Sequence, residues 1–161
     1  PGVLAEVARR LVDLAGMEVL VLGAPGDRDA AREVTGRALR KNVTPVAGEG
    51  VLERLMERIE SLDVLVSPDS GPAHLASALG VPVVVVFTST HPRLGFWPHD
   101  MQGAVFSGDL ACRPCHRHGG HSCPRGDWEC RRGLLPSHIV DAALSVMDSG
   151  AEGASGDGEP G

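Results

Sequence analysis

An apolar stretch, a turn of small and polar residues, a helical stretch and a second apolar stretch follow one another between residues 64 and 87. The apolar stretches, residues 64–66 and 81–87, are continuous, as is typical of parallel strands buried on both faces. The helical stretch between them stops at Gly80. Because parallel strands need a crossover connection, usually a helix, the pattern predicts a βαβ unit.

The turn before this helix carries the residues best suited to a ligand. Asp69 directly follows the predicted strand and therefore lies at its carboxyl end, where open α/β sheets bind ligands. Gly71 lets a ligand approach the backbone closely, and Pro72 suits the first helical position. Free N–H groups at the start of a helix attract anions. A carboxylate beside an anion site suits a ligand with phosphates and sugar hydroxyls.

An ordinary capping turn is the alternative interpretation of the same residues. Asp and Ser side chains cap the free N–H groups of helices, and Gly and Pro commonly mark turns. The spacing of Asp69, Ser70 and Gly71 is compatible with both interpretations. The residues of the turn therefore leave a ligand site and a cap as equal alternatives.

Strands and helices alternate along the rest of the chain. Further helices are predicted over residues 2–15, about 29–39, about 51–62 and from Pro136 onward. Further strands are predicted at residues 17–22, 43–46 and, weakly, 104–107. This alternation predicts an α/β fold with a Rossmann-like parallel sheet. Residues 1–148 are expected to form one domain, and the small, polar, acidic residues 149–161 a disordered tail.

The chain begins on a predicted helix that no strand precedes. In the Rossmann topology the opening strand lies in the middle of the sheet. The strands at residues 17–22 and 64–66 would then lack their shared neighbour, and each would keep an unpaired inner edge. We therefore expect the 161 residues to be a fragment of a longer protein that lacks the first strand. By themselves they are expected neither to fold stably nor to catalyse.

Composition excludes several classes of protein. Hydrophobic residues make up 42% of the chain, and the formal net charge is −6. No apolar stretch approaches the ~20 residues that a membrane-spanning helix needs, and no signal peptide is recognisable. The negative charge argues against a general nucleic-acid-binding protein. We therefore expect a soluble, cytoplasmic protein.

Basic residues are concentrated in residues 112–132, which hold five arginines and three histidines against Asp127 and Glu129. A phosphate-rich partner would be attracted to such a segment. A run of charge is nevertheless more often a solvated loop, which is the preferred interpretation.

Four cysteines lie in the same segment, at Cys112, Cys115, Cys123 and Cys130. Four thiolates including a Cys-x2-Cys pair suit zinc, which prefers tetrahedral sulfur ligands. The second pair, however, is separated by six residues, which is longer than usual for a zinc site. Free structural thiols, a zinc site and disulfides remain the alternatives, and free thiols are preferred.

The sequence SPDSGPAHLASALGVPVVVVFTSTHP, residues 67–92, resembles the Asp-Ser/Thr-Gly-x-x-His signature of glycosyltransferase family 9, the ADP-heptose:lipopolysaccharide heptosyltransferases. The DSG turn, the His three residues after Gly71, the Ala-rich helix, the Gly-x-Pro step and the Thr-rich loop occur in the same order. The resemblance extends from residue 1 to about residue 148.

The resemblance implies roles for the residues that match the signature. Ser70 and Gly71 correspond to residues that donate backbone N–H bonds to the donor's diphosphate, and Asp69 to one that accepts bonds from sugar hydroxyls. His74 lies one turn into the helix, within reach of the donor by the same comparison. Without the resemblance, a packed and satisfied histidine is the usual interpretation.

Two further turns are implied in donor binding. Residues 23–27, Gly-Ala-Pro-Gly-Asp, stand where the family has a Gly-Gly-Pro-x-Glu-like turn whose acid contacts the ribose. Asp27 replaces that Glu, Asp29 is a second candidate, and a helix N-cap is the alternative role for Asp27. Thr90 lies in a loop similar to the family's Gly-Pro-Thr loop and is implied to bind phosphate, although an ordinary surface loop has the same pattern.

The resemblance covers only the second of the two Rossmann-like domains of a GT-B enzyme. It implies inverting transfer of heptose from ADP-heptose to the lipopolysaccharide inner core or another glycan acceptor, without a metal ion or other cofactor. The catalytic base is expected on the amino-terminal domain, outside these 161 residues. A nucleotide-sugar-binding module without turnover and a cysteine-rich zinc interaction domain are the alternative functions.

Overall fold

Helices and strands alternate in the computed structural model, which describes residues 1–48, 50–95, 97–98, 102–117, 119–120 and 122–153. The α-helices are α1 (Gly2–Ala15), α2 (Arg28–Ala38), α3 (Leu52–Glu60), α4 (Gly71–Ala78), α5 (Glu129–Arg132) and α6 (Pro136–Gly153). The strands are β1 (Val19–Gly23), β2 (Val43–Ala47), β3 (Leu65–Pro68), β4 (Val83–Phe87) and β5 (Gly103–Phe106). The predicted α/β class and the βαβ unit are confirmed.

The end of α1 is set by a glycine, and the end of α6 differs from the prediction. α1 ends at Gly16, whose left-handed backbone (φ 66°) allows its N–H to bond the carbonyl of Val12. α6 continues to Gly153, so residues 149–153 are helical where a disordered tail is predicted. Residues 154–161 lie outside the described residues, and the tail stays a prediction there. The short helix α5 was not predicted.

The strands form two separate parallel sheets. β1 pairs with β2, from Val19 opposite Val43 to Gly23 opposite Ala47. The other sheet has the order β3-β4-β5, and both of its pairs are parallel. Burial on both faces explains why β4, with the sequence VVVVF, is continuously apolar.

β4 is the central strand of the second sheet, and all five of its residues are buried. Val84 and Val86 belong to one core cluster, with residues of α1 and α6. Val83, Val85 and Phe87 belong to another, with residues of α3 and α4. Because side chains alternate along a strand, β4 is covered on both faces and holds the two helical layers apart.

No strand of the described part lies between β1 and β3. An apolar cleft of about 240 Å³, the interstrand cleft, separates them and is lined by α1 and by residues 17–22 and 64–68. α1 spans it, because Val7 and Leu11 join the core of the second sheet while Ala8 packs with α2 and β2. The prediction that these two strands lack a shared neighbour is confirmed.

A search for membrane-spanning elements gives a plain result. Across the described ranges, no helix combines the length and the apolar composition that are required to cross a bilayer.

Candidate functional site

The turn between β3 and α4 lies at the carboxyl end of the second sheet and exposes backbone N–H groups that make no hydrogen bond within the described part of the chain. Ser70 has an extended backbone (φ −161°, ψ 170°), which directs the chain sharply into α4. Its N–H and that of Gly71 make no hydrogen bond within the described part of the chain. The first turn of α4 contains no acidic residue that would compete for them. These two N–H groups and the helix dipole form a site suited to an anion.

Side chains of this turn do not cap the helix. Neither Asp69 nor Ser70 makes a side-chain cap bond to α4. The Ser70 hydroxyl instead donates to the Pro68 carbonyl (3.1 Å) and lies 3.2 Å from the Ser67 hydroxyl. The Asp69 carboxylate, half-buried, has no hydrogen-bond or ion-pair partner among the described residues. The geometry therefore disfavours the capping interpretation and leaves Asp69 available for a ligand.

His74 and Thr90 differ in accessibility. His74 is exposed one turn into α4, so it is not the packed histidine of the alternative interpretation. Thr90 is only 5% exposed in the loop after β4, so that its hydroxyl has little surface to offer a ligand. The β3–β4 register, with Pro68 opposite Val86, puts the Asp69 turn and the Thr90 loop on adjacent strand ends. Asp69, Ser70, Gly71 and His74 thus form one accessible group, with Thr90 buried beside it.

The turn after β1 is closed by Asp27. Its Oδ2 atom accepts a hydrogen bond from the Ala24 N–H (2.9 Å), across a short 3₁₀ helix, Pro25–Asp27. Asp27 does not cap α2 with its side chain. The carboxylate is exposed, and its second oxygen is not used in this bond. The predicted alternative, an N-cap of the following helix by the Asp27 side chain, is therefore wrong, because the carboxylate bonds back to the Ala24 N–H instead.

An apolar cleft of about 270 Å³ opens where β1 and β2 end, and we call it the β1–β2 end cleft. It is lined by Leu22, Gly23, Ala24, Pro25, Val46, Gly50, Val51, Leu52, Leu55 and Arg58. Val51 and Leu52 are 51% and 58% exposed, which is unusual for apolar residues at the start of an amphipathic helix. A flat apolar group with polar edges fits such a cleft.

The loop after β2 depends on a glycine. Gly48 has a φ of 93°, and a side chain there would collide with the guanidinium of Arg28. Arg28 lies across this glycine and donates from Nη2 to its carbonyl (3.0 Å). The contact ties the start of α2 to the end of β2 and so shapes the rim of the β1–β2 end cleft.

The cysteine segment is held together without disulfides. Cys112, Cys115, Cys123 and Cys130 are all free thiols. Backbone N–H groups, first that of Trp128, lower the pKa of Cys123, whereas burial raises that of Cys130. The charge of Arg113 acts to lower the pKa of Cys130, and the neighbouring Cys115 acts to raise it. In the ranges that the structure describes, no three His, Cys, Asp or Glu side chains are grouped as metal ligands. The zinc alternative stays untested.

The basic segment is not a uniformly solvated loop. Arg113 is buried, at 9% exposure, and bonds to other loops. Arg125 pairs with Asp127 (2.8 Å), and the Arg131 guanidinium lies 4.1 Å from the ring centroid of Trp128. Several of the arginines therefore make contacts within the protein. The prediction of a solvated basic loop holds only for the other basic residues of the segment.

Neither the β1–β2 end cleft nor the burial of Arg113 was predicted from the sequence. The spacing of Val51, Leu52 and Leu55 predicts a helix, and spacing alone does not distinguish a core face from an open cleft. Arg113 stands among other basic residues, and its burial depends on loops that are distant in sequence.

Comparisons with known proteins agree with the resemblance. The family description that matches residues 4–122 is glycosyltransferase family 9 (heptosyltransferase). Lipooligosaccharide heptosyltransferase 2 of Campylobacter jejuni is 25% identical over 138 residues, covering 81% of this chain and 41% of that protein. Lipopolysaccharide heptosyltransferase 2 of Escherichia coli is 31% identical over 94 residues, or 55% of this chain and 26% of that protein.

Two solved structures have the same fold. The glycosyl transferase family 9 structure from Veillonella parvula superposes with a TM-score of 0.75 at 20% identity, over 92% of this chain and 42% of that one. The E. coli ADP-heptose lps heptosyltransferase II gives a TM-score of 0.73 at 22% identity, over 91% and 41%. This chain thus spans about two fifths of the length of these proteins. Because the family match covers more than half of its residues, the chain belongs to glycosyltransferase family 9, the heptosyltransferase family.

Proposed function

We propose that this chain binds the nucleotide-sugar donor of a heptosyltransferase that builds the lipopolysaccharide core. The observation that carries the proposal is the β3–α4 turn, where two N–H groups and the Asp69 carboxylate are without partners in the described part of the chain. Family membership supports heptose transfer, since the related proteins are named as lipopolysaccharide or lipooligosaccharide heptosyltransferases. One solved relative is named for ADP-heptose, which is the donor that we assign to this chain.

The diphosphate of the donor binds at the start of α4. The N–H groups of Ser70 and Gly71 donate to phosphate oxygens, and the dipole of the eight-residue helix adds attraction. The Asp69 carboxylate would repel phosphate and therefore faces the sugar, whose hydroxyls donate to it. His74, one helical turn further on, contributes a second polar group at the sugar or phosphate.

The nucleoside occupies the β1–β2 end cleft. Its apolar lining by Leu22, Val46 and Leu55 suits the faces of a purine base. Asp27, at the rim, keeps one carboxylate oxygen outside its bond to Ala24, and that oxygen accepts from the ribose. Asp29, whose side chain is 99% exposed, is the second candidate for this contact. Thr90 makes at most a minor phosphate contact because it is buried.

The reaction itself is an inverting transfer. A base deprotonates the acceptor hydroxyl, the hydroxyl oxygen bonds to the anomeric carbon, and the bond to the nucleoside diphosphate breaks with its electron pair. Negative charge grows on the leaving diphosphate, so the N–H groups at α4 stabilise the transition state more than the ground state. The base belongs to another part of the protein, in a GT-B arrangement with the acceptor bound between two domains. No metal ion is required by this scheme.

The setting of this function follows from the donor and the acceptor. We place the protein in the cytoplasm, with peripheral contact with the inner membrane where a lipid-linked acceptor is reached. The partners are the nucleotide sugar, the glycan acceptor and the remaining domain of the enzyme.

A binding module without turnover is the second candidate. The described residues that face the donor, Asp69, Ser70, Gly71 and His74, bind and orient, and the proposed base lies elsewhere. A zinc interaction domain built on Cys112, Cys115, Cys123 and Cys130 stays the third alternative, and nothing in the structure tests it.

Calorimetry tests donor binding directly. Titration with ADP and ADP-heptose should give saturable binding, with the sugar nucleotide binding more tightly because Asp69 contacts the sugar. A substitution Leu55→Asp, which places a charge in the β1–β2 end cleft, should abolish both. Absence of any ADP binding by folded protein would contradict the proposal. Transfer assays on a full-length protein that contains these residues then separate an enzyme from a binding module.

A further inference from the structure

A polar cleft of about 210 Å³ lies at the carboxyl ends of β4 and β5, in contrast to the two apolar clefts described above. We call it the basic cleft; the side chains that define it are His91, Arg93, Phe106, Asp109 and Arg113. β4 lies between β3 and β5, so the end of β5 is two strand spacings, about 10 Å, from the end of β3. The basic cleft is therefore separate from the Asp69–Gly71 turn but lies at the same edge of this sheet.

Arg113 supplies a buried positive charge that has no carboxylate partner among the residues that the structure describes. Its guanidinium donates from Nε to the Thr88 carbonyl (2.8 Å), from Nη1 to the Gly108 carbonyl (3.1 Å) and from Nη2 to the Ser107 hydroxyl (3.0 Å). Its Cζ atom lies 5.2 Å from the centroid of Phe106. All of these groups are neutral. Because buried charges are usually paired, Arg113 leaves a positive charge in a region of low dielectric that an anion would neutralise.

His91 reports the same positive potential. Its Nδ1 accepts a hydrogen bond from the Arg93 N–H (3.0 Å), which assigns the proton of the neutral ring to Nε2. Burial lowers the pKa of His91, and the charges of Arg93 and Arg113 lower it further, whereas Asp109 acts in the opposite direction. The cleft thus combines two guanidinium groups and a ring N–H donor against one carboxylate.

We propose that the basic cleft is a second anion site, which binds a phosphate or carboxylate group of a ligand. Each Nη nitrogen of Arg113 has one N–H that is not used in the bonds given above, and Arg93 offers its guanidinium from the cleft wall. The proposal goes beyond donor binding, because the donor diphosphate is assigned to the Asp69–Gly71 turn. It also stands if that assignment fails.

Sulfate and acetate are suitable probes, since they represent phosphate and carboxylate and do not titrate near neutral pH. The pKa of His91 is measured by NMR of the histidine rings in a full-length protein that contains these residues, with chloride at equal ionic strength as the reference. The signal is assigned by its loss in His91→Gln. Anion binding should raise the pKa of His91 in a saturable manner, because a neighbouring negative charge favours the imidazolium. The stronger of the two probes identifies the preferred group.

Three variants distinguish specific anion binding in the basic cleft from non-specific attraction of anions to positive charge on the protein. Arg93→Gln should weaken anion binding about tenfold, as expected for a lost charge-assisted hydrogen bond. Arg93→Lys should retain part of the affinity. Asp109→Asn should strengthen binding, because it removes the negative charge of the cleft, and misfolding does not mimic a gain. Arg32→Gln on α2 is the control, with the same change of net charge at an exposed residue.

The outcomes are separable from those at the donor site. Sulfate that shifts only the amide signals of Ser70 and Gly71 and leaves the pKa of His91 unchanged would overturn the proposal. Equal losses in Arg93→Gln and Arg32→Gln would overturn it as well, because they would indicate non-specific attraction. An anion-dependent pKa of His91 that responds to Arg93 and Asp109 supports it, whether or not ADP binds.

Discussion

Gly23 and Asp27 are in such close contact that a Cβ atom on residue 23 would lie 2.9 Å from the Cβ of Asp27. The same atom would lie 3.3 Å from the Cβ of Ala47 on β2. The turn after β1 closes because residue 23 has no side chain, which lets Asp27 fold back and accept from the Ala24 N–H. This turn forms one wall of the β1–β2 end cleft, so its geometry affects stability and the shape of the cleft in which we propose that the nucleoside binds.

Gly23→Ala should destabilise the protein by about 1–3 kcal/mol, because the added methyl overpacks the contact with Asp27. Urea unfolding followed by circular dichroism measures the change. Gly36→Ala is the matched control, since a methyl at Gly36 in α2 meets no atom within 4 Å. It should stabilise by about 0.5–1 kcal/mol through helix propensity. Equal effects of the two substitutions would show that the turn tolerates a side chain.

Asp69→Ala should weaken binding of ADP-heptose roughly ten- to hundredfold, because it removes a carboxylate whose charge-assisted hydrogen bonds are worth ~1.5–3 kcal/mol. Binding of ADP without the sugar should change much less. Calorimetry with both ligands measures the difference. Asp63→Ala, an exposed carboxylate before β3, is the control and should leave both affinities unchanged. An unaltered affinity of folded Asp69→Ala for ADP-heptose would remove Asp69 from the site.

Stability should fall in acid through Glu6. Hydrogen bonds from Arg9 and Arg10 lower the pKa of Glu6 from 4.5 to about 2. Because the folded-state pKa is the lower one, the ion pairs stabilise fully above about pH 4.5 and are lost as the pH falls towards 2. Glu6→Gln should flatten the decline of the unfolding midpoint over this window. Glu60→Gln, exposed on α3, should not, and identical profiles for both variants would exclude Glu6.

The chain should have low stability, because β1 and β3 both face the interstrand cleft instead of a neighbouring strand. Ordinary domains have free energies of unfolding of ~5–15 kcal/mol, and we expect a value under the lower limit of that range for this chain. Leu11→Ala should cost about 2–5 kcal/mol because Leu11 is buried, whereas Leu4→Ala should cost far less because Leu4, on the same helix and lining the same cleft, is 50% exposed. Urea unfolding of a monomer with ordinary stability would show that the cleft does not weaken the fold.

The cysteines should be dispensable for transfer. We expect purified protein to contain no stoichiometric zinc. Cys115→Ser should preserve donor affinity while lowering stability, since the Cys115 thiol donates to the Ser89 carbonyl (3.8 Å) and a shorter hydroxyl side chain would not reach it as well. Elemental analysis and calorimetry measure the two properties. Ser107→Ala provides a comparison that perturbs the neighbouring loop without removing a thiol. One equivalent of zinc, lost in Cys115→Ser, would replace the free-thiol interpretation with a metal site.

Local sequence determined the helices and strands and the β3–α4 turn. The apolar stretches specify buried parallel strands, and Gly16 ends α1 where a left-handed residue is needed. Asp69, Ser70 and Gly71 are consecutive, so any βαβ unit built from this stretch presents them together. The missing neighbour of β1 and β3 was also predictable, since the order of elements along the chain sets which strands adjoin.

The tertiary structure decided what depends on residues far apart in the chain. Sequence could not tell a cap from a ligand site, because the side chains of Asp69 and Ser70 choose their partners only in the folded turn. The burial of Arg113 results from its contact with Thr88, 25 residues earlier, and from the ring of Phe106. Local pattern carries no information on such contacts, because the backbone path between the partners sets whether a charged side chain is buried or solvated.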